Sequence, residues 1–300
     1  MKASRAWRER VLPVAVVLAA LVVVWYAGAT GLNARGAIER SLGGRSDAGL
    51  AELVAATWSM QRPVLPAPHQ VALDLWRSIV DWPLASPRNL LYHAAVTAQS
   101  TLAGFAAGTL LGLVLATAIV HSRTLERALL PWIVASQTVP VLAIAPIVLV
   151  ILGSLGLAGV APKAAIAMYL CFFPVTVAMV QGLRSPQTIE LELLHTYAAT
   201  PAQVYWRLRL PAALPFLFPA LRVAIAAGLV GAMVAELPTG AQAGLGARLL
   251  TGSYYGNTVG IWSALALSAL LGLALTAAVA GVERLVLRAS GAAPRRSGRR

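Results

Sequence analysis

The chain has little of what catalysis or cross-linking requires. It contains one cysteine, Cys171, inside an apolar run, which excludes an internal disulfide and a cysteine-based metal cluster. Cys171 reads as a packed or lipid-facing thiol. The four histidines, His69, His93, His121 and His195, are dispersed. No second histidine, cysteine or carboxylate stands at ligand spacing from His69, which reads as a solvated turn residue. With no metal site, no cofactor site and no Ser/His/Asp constellation, an enzyme is not expected. Acidic residues number 11 against 24 Lys plus Arg. None sits midway along an apolar run, where an ion-coupled transporter normally places a carboxylate. Glu236 only adjoins the outer end of one run. No Gly-x-x-x-x-Gly-Lys-Ser/Thr loop occurs, so nothing indicates that the chain cradles ATP itself.

Apolar length is what the chain has in abundance. It is 58% hydrophobic and 12% charged, with a mean hydropathy of +0.74, the composition of a membrane protein. A net charge of +13 raises the question of nucleic acid. The arginines, however, flank apolar runs and build no basic, aromatic-laced face, so no nucleic-acid partner is expected.

Six runs have the length that a bilayer core needs. The first, Val11 to Gly31, follows Lys2, Arg5, Arg8 and Arg10; a secretory signal peptide competes, but its length favours a retained helix. Residues 32–90 are mixed in polarity, with a short amphipathic helix expected over Ala48 to Met60. Leu65-Pro-Ala-Pro-His69 then forms a turn into a helix over Val71 to Ile79. The second run, His93 to Val120, carries Gly104, Gly108 and Gly112 at four-residue spacing, one helix face open to close approach by another backbone. The third, Leu129 to Leu152, has Pro131 in its first turn and Pro140 and Pro146 inside, so it should be kinked or broken. The fourth spans Ala161 to Leu183. The fifth, Leu214 to Ala235, is closed by Glu236, and the sixth spans Val259 to Ala280.

Arginines repeat in the turn at 121–127, in the segment 184–210 and from Arg284 onwards. The turns at 154–161 and 237–258 carry only Arg248, with Lys163 just beyond the first of them. The positive-inside rule then places both termini in the cytoplasm. Arg295, Arg296, Arg299 and Arg300 in the tail are available to anionic lipid.

The polar stretch Glu192 to Pro211 interrupts the apolar blocks. Ser185-Pro186 reads as one helix start, and Thr200-Pro201 with Gln203 as a second, in capping-box spacing. Pro211 should end that second helix. Two short helices with a bend near Ala198 to Thr200 are therefore expected outside the bilayer core. Tyr205, Trp206, Arg207 and Arg209 are residue types that anchor interfaces.

The same stretch resembles the coupling loop of ABC importer permeases: Glu-Ala-Ala, three residues, Gly, nine residues, Ile-x-Leu-Pro. Here those positions are Glu192-Leu193-Leu194, Ala198 and Leu208-Arg209-Leu210-Pro211. The segments Leu210-Pro-Ala-Ala-Leu-Pro215, Ala220-Leu-Arg222, Val234-Ala-Glu236 and Gly244-Leu-Gly246 are also similar to that family. The Leu-Pro-x-Pro lead-in resembles the nitrate, sulfonate and taurine subfamily. The resemblance spans His93 to Arg288. It implies the type I importer fold, an all-α polytopic membrane protein of about six transmembrane helices, in the bacterial inner membrane. It implies a separate ATPase, an extracytoplasmic solute-binding protein and a second permease copy. Glu192, Ala198, Thr200, Tyr205, Trp206, Arg207, Arg209 and Pro211 are then the ATPase-coupling residues.

The expected organisation is a tail and first helix over 1–31 and an extracytoplasmic segment over 32–90. A permease core follows over 91–288 with its coupling loop at 184–211, then a basic cytoplasmic tail over 289–300. The expected cargo is a sulfonate, nitrate, taurine or pyrimidine-like solute, with Glu236-Leu-Pro-Thr-Gly240 and Tyr254-Tyr-Gly256 tilting towards pyrimidine-like ones by analogy. An ion-coupled secondary transporter is the alternative.

Overall fold

The computed structural model describes residues 2–40, 49–238 and 243–289, and all regular structure among them is helical. The tail arginines lie outside the described residues. Five helices are long and apolar enough to cross a membrane, and a bent pair makes a sixth span if counted as one. These match the six apolar runs.

Two compact units emerge, Met1–Tyr92 with Arg248–Leu267 and His93–Ala247 with Ser268–Arg300. The first holds α1 (Lys2–Arg40), α2 (Leu50–Trp58) and α3 (Pro68–Val80). Helix α1 runs well past Gly31, to Arg40, and this extension carries Asn33. The buried Asn33 amide donates to the Leu65 carbonyl at 2.7 Å and accepts from Val64 N–H at 2.6 Å, strapping the proline turn to α1. His69 is only partly solvated. It is half-buried in the first turn of α3, stacked on Tyr26 and 3.2 Å from its hydroxyl.

The second unit is built around α7 (Val160–Leu183). On one side lies α4 (Leu90–His121), which meets α7 along its glycines. On the other lies α10 (Leu210–Ala235), whose Gly228 and Gly231 face Cys171 and Ala167. Cys171 is a packed thiol, fully buried and donating to the Ala224 carbonyl. Around it Ala116, Val175, Met179, Leu183, Ala213 and Ala224 form the core. Small residues at each contact let backbones approach closely, which is how helices associate without a hydrophobic drive between them.

The third apolar run is α5 (Arg123–Ser136) and α6 (Val141–Ser154), bent by 103°. The single break lies at Gln137–Pro140, while Pro146 is tolerated inside α6. Pro131 is interior to α5 rather than in its first turn. Ser122 caps that helix, accepting from Leu125 N–H, so the polar turn after His121 is already helical. Hydropathy marks where apolar residues begin, not where the helix does.

Candidate functional site

Helix α8 (Thr188–Thr196) opens the expected coupling segment. Its N-cap is Gln187, whose N–H is held by the Glu190 carboxylate at 2.8 Å. Ser185 is not the cap; its hydroxyl turns back to the Gly182 carbonyl. The bend falls at Ala198, whose φ of +52° is the one positive value at a non-glycine residue among those described. A left-handed residue with a Cβ is strained, and glycine relieves that strain. The next helix, α9 (Pro201–Val204), starts on a reciprocal cap. Thr200 Oγ1 accepts from Gln203 N–H, and Gln203 accepts from Thr200 N–H at 2.8 Å.

Pro211 does not end this helix. The chain stays helical from Pro201 to Ala235 through a widened π turn, Tyr205–Arg209, in which Leu210 N–H reaches back to the Tyr205 carbonyl. The wide turn moves aside the backbone that the Pro211 ring would strike and leaves its missing donor harmless. The π turn also splits the four anchor candidates. Trp206 and Arg207 are exposed. Tyr205 turns inward to Thr117 Oγ1 of α4 at 2.9 Å, and Arg209 donates to the Leu183 carbonyl at 2.9 Å. Glu192, Ala198 and Thr200 are exposed along the same segment.

At the far end of α10 stands a buried polar cluster. Glu236 is fully buried, and its carboxylate accepts from Thr97 Oγ1 at 2.9 and 3.0 Å and from Gly246 N–H at 2.9 Å. Lys163 lies 3.5 Å away and donates to the Ala243 carbonyl at 2.8 Å. Thr97 also accepts from Leu245 N–H, and His93 Nδ1 from Gly244 N–H at 3.0 Å. Gly244 has a φ of +129°, and a Cβ there would lie 2.1 Å from the Glu236 carboxyl carbon. Charge is thus brought out of water only where backbone and side-chain donors surround it.

Residues 108–288 match the family described as binding-protein-dependent transport system inner membrane component. The chain belongs to this family. The permease is 32% identical to the formylaminopyrimidine transport permease protein ThiX of Halalkalibacterium halodurans, over 78% of this chain and 89% of the relative. It is 32% identical to the riboflavin transport system permease protein RibX of Chloroflexus aurantiacus, over 75% and 80%. With the taurine transport system permease protein TauC of Escherichia coli it shares 25% over 76% and 82%. It is an ABC importer permease, a multi-pass inner-membrane protein.

In the permease, the glycines of α4 sit against α7. A Cβ at Gly104 would lie 2.4 Å from Ala167 Cβ, at Gly108 2.5 Å from Cys171 Cβ, and at Gly112 2.9 Å from the Phe172 carbonyl oxygen. Arg222 pairs with Glu283 of α12 (Thr258–Ala289). Sequence reasoning missed the Glu236 cluster. Its members come from α4, α7, the turn after α10 and the start of α11 (Leu245–Tyr254), and no local spacing joins them. The available signals were Lys163, the one charge in its apolar run, and Glu236 closing another.

Proposed function

We propose that the permease passes a small nitrogen heterocycle, delivered by an extracytoplasmic solute-binding protein, and is driven by an ATPase docked on residues 188–209. Two relatives at 32% identity bear names that specify formylaminopyrimidine and riboflavin, against 25% for the taurine relative. That difference is the observation that carries the cargo. Docking is supported by Trp206 and Arg207, which project from a segment fixed to the protein at both ends of its π turn. An exposed aromatic beside an exposed Arg is the usual make-up of an interface anchor.

A homodimer completes the pathway, with both termini cytoplasmic by the arginine distribution. Lipid covers the exposed Val and Leu side chains of α1, among them Val14, Leu18 and Val23. Gly104, Gly108 and Gly112 keep α4 in register with α7 during transport. The test is ATP-driven uptake in proteoliposomes holding the permease, its ATPase and its binding protein. Labelled formylaminopyrimidine should accumulate and labelled taurine should not. The reverse result overturns the cargo.

A further inference from the structure

The π turn places one aromatic hydroxyl where the coupling segment meets α4. The Thr117 hydroxyl donates to the Leu113 carbonyl at 2.8 Å, which leaves its oxygen free to accept from the Tyr205 hydroxyl at 2.9 Å. One turn along, His121 Nδ1 lies 2.8 Å from the Thr117 carbonyl, and its ring centre is 5.5 Å from that of Tyr205. The Tyr205 ring packs against the α7–α10 core on one side and lines an open cleft of 410 Å³ with Leu113, Val114, Thr117 and Ala118 on the other. Four residues further on, Arg209 pins the same turn to the last carbonyl of α7. Among the described residues, the segment therefore has a fixed end at α7 and a single polar tie to α4.

We infer that the Tyr205–Thr117 hydrogen bond is the strut through which displacement of the coupling segment moves α4. This rests on the reading that residues 188–209 dock the ATPase. A rigid-body movement passed up α10 alone would reach α4 only indirectly, through α7 and its contact with the α4 glycines. A directional bond at the hinge ties the moving segment to α4 itself. Tyr205 is then a positioning residue, acting through α4 rather than on the solute.

Spatial intermediacy does not by itself establish coupling, and a double-mutant cycle does. Tyr205→Phe, Thr117→Val and the pair are to be compared in proteoliposomes for labelled formylaminopyrimidine transported per ATP hydrolysed, with ATPase co-purification and membrane abundance measured alongside. Because Tyr205 borders a cleft, loss of its hydroxyl leaves no buried void, and all three variants should insert normally and keep the ATPase. Each single change should lower the transport-to-hydrolysis ratio about fivefold, the factor that one hydrogen bond of ordinary net strength represents. The double variant should be no worse than either single. Unchanged ratios, or losses that multiply in the double, overturn the strut while leaving docking intact. Failure of the unsubstituted permease to retain an ATPase overturns the docking reading and the strut with it.

Discussion

Glu236→Gln tests whether the buried cluster is held by its charge pair. The substitution keeps the shape of the side chain and one oxygen to accept from Thr97 and Gly246, but leaves the Lys163 ammonium, 3.5 Å away and 8% exposed, without a counter-charge. Removing one partner of a buried ion pair costs about 3–5 kcal/mol, because the remaining charge stays desolvated. Retention of the Ala243 carbonyl as a partner for Lys163 at 2.8 Å argues for the lower end, about 3 kcal/mol. Lys163→Met strands the carboxylate instead. Its three hydrogen-bond contacts survive, so the loss should again be about 3 kcal/mol. The double variant removes both charges together and should lose far less than the sum. Thermal unfolding of the purified permease in detergent, followed by the fraction that stays monodisperse, reads these differences. Singles within about 0.5 kcal/mol of the parent, the range of an ordinary surface change, refute the reasoning. So does a double variant whose loss equals the sum of the two.

Ala198→Gly should stabilise the permease by about 1 kcal/mol by relieving the φ of +52°, raising the unfolding midpoint by roughly 2 °C; an unchanged or lowered midpoint contradicts this. Gly108→Leu should abolish assembly, since even a Cβ there would lie 2.5 Å from Cys171 Cβ, whereas Val114→Leu, at a side chain 56% exposed, should be mild. Normal abundance and uptake for Gly108→Leu would show that the α4–α7 contact does not need its glycines. Cysteine at Ser253 should react with an impermeant thiol reagent applied outside intact cells, and cysteine at Thr196 should not. Native Cys171 is fully buried and gives no background. Reversed labelling would overturn the orientation.

Features carried by local period are legible in the sequence alone. The glycine ladder follows from four-residue spacing, and the Thr200–Gln203 cap from three-residue spacing, because both geometries are set within one turn of helix. The same local logic fails where the chain departs from the ordinary helical repeat. Pro211 reads as a terminator only if the preceding turn is α-helical; the π turn at Tyr205–Arg209 absorbs it. That turn also rotates Tyr205 and Arg209 inward, so two of four expected partner contacts are spent on Thr117 and Leu183. The Glu236 cluster is illegible for another reason. His93, Thr97, Lys163 and Glu236 meet only through tertiary packing, and each alone looks like a residue at the end of an apolar run.

The central claim is that residues 188–209 dock a separate ATPase through the side chains they expose. The direct measurement is retention of that ATPase when the permease is purified from membranes, comparing Trp206→Ala with Arg207→Glu against a charge-reversal control at exposed Arg288→Glu. Reversing a charge against a complementary surface costs several kcal/mol, and about 1.4 kcal/mol is already tenfold in affinity. The ATPase should be lost from the Trp206/Arg207 variant and kept by the control, with both proteins equally abundant in the membrane. Retention of the ATPase by the Trp206/Arg207 variant, or equal loss from the control, would contradict the account.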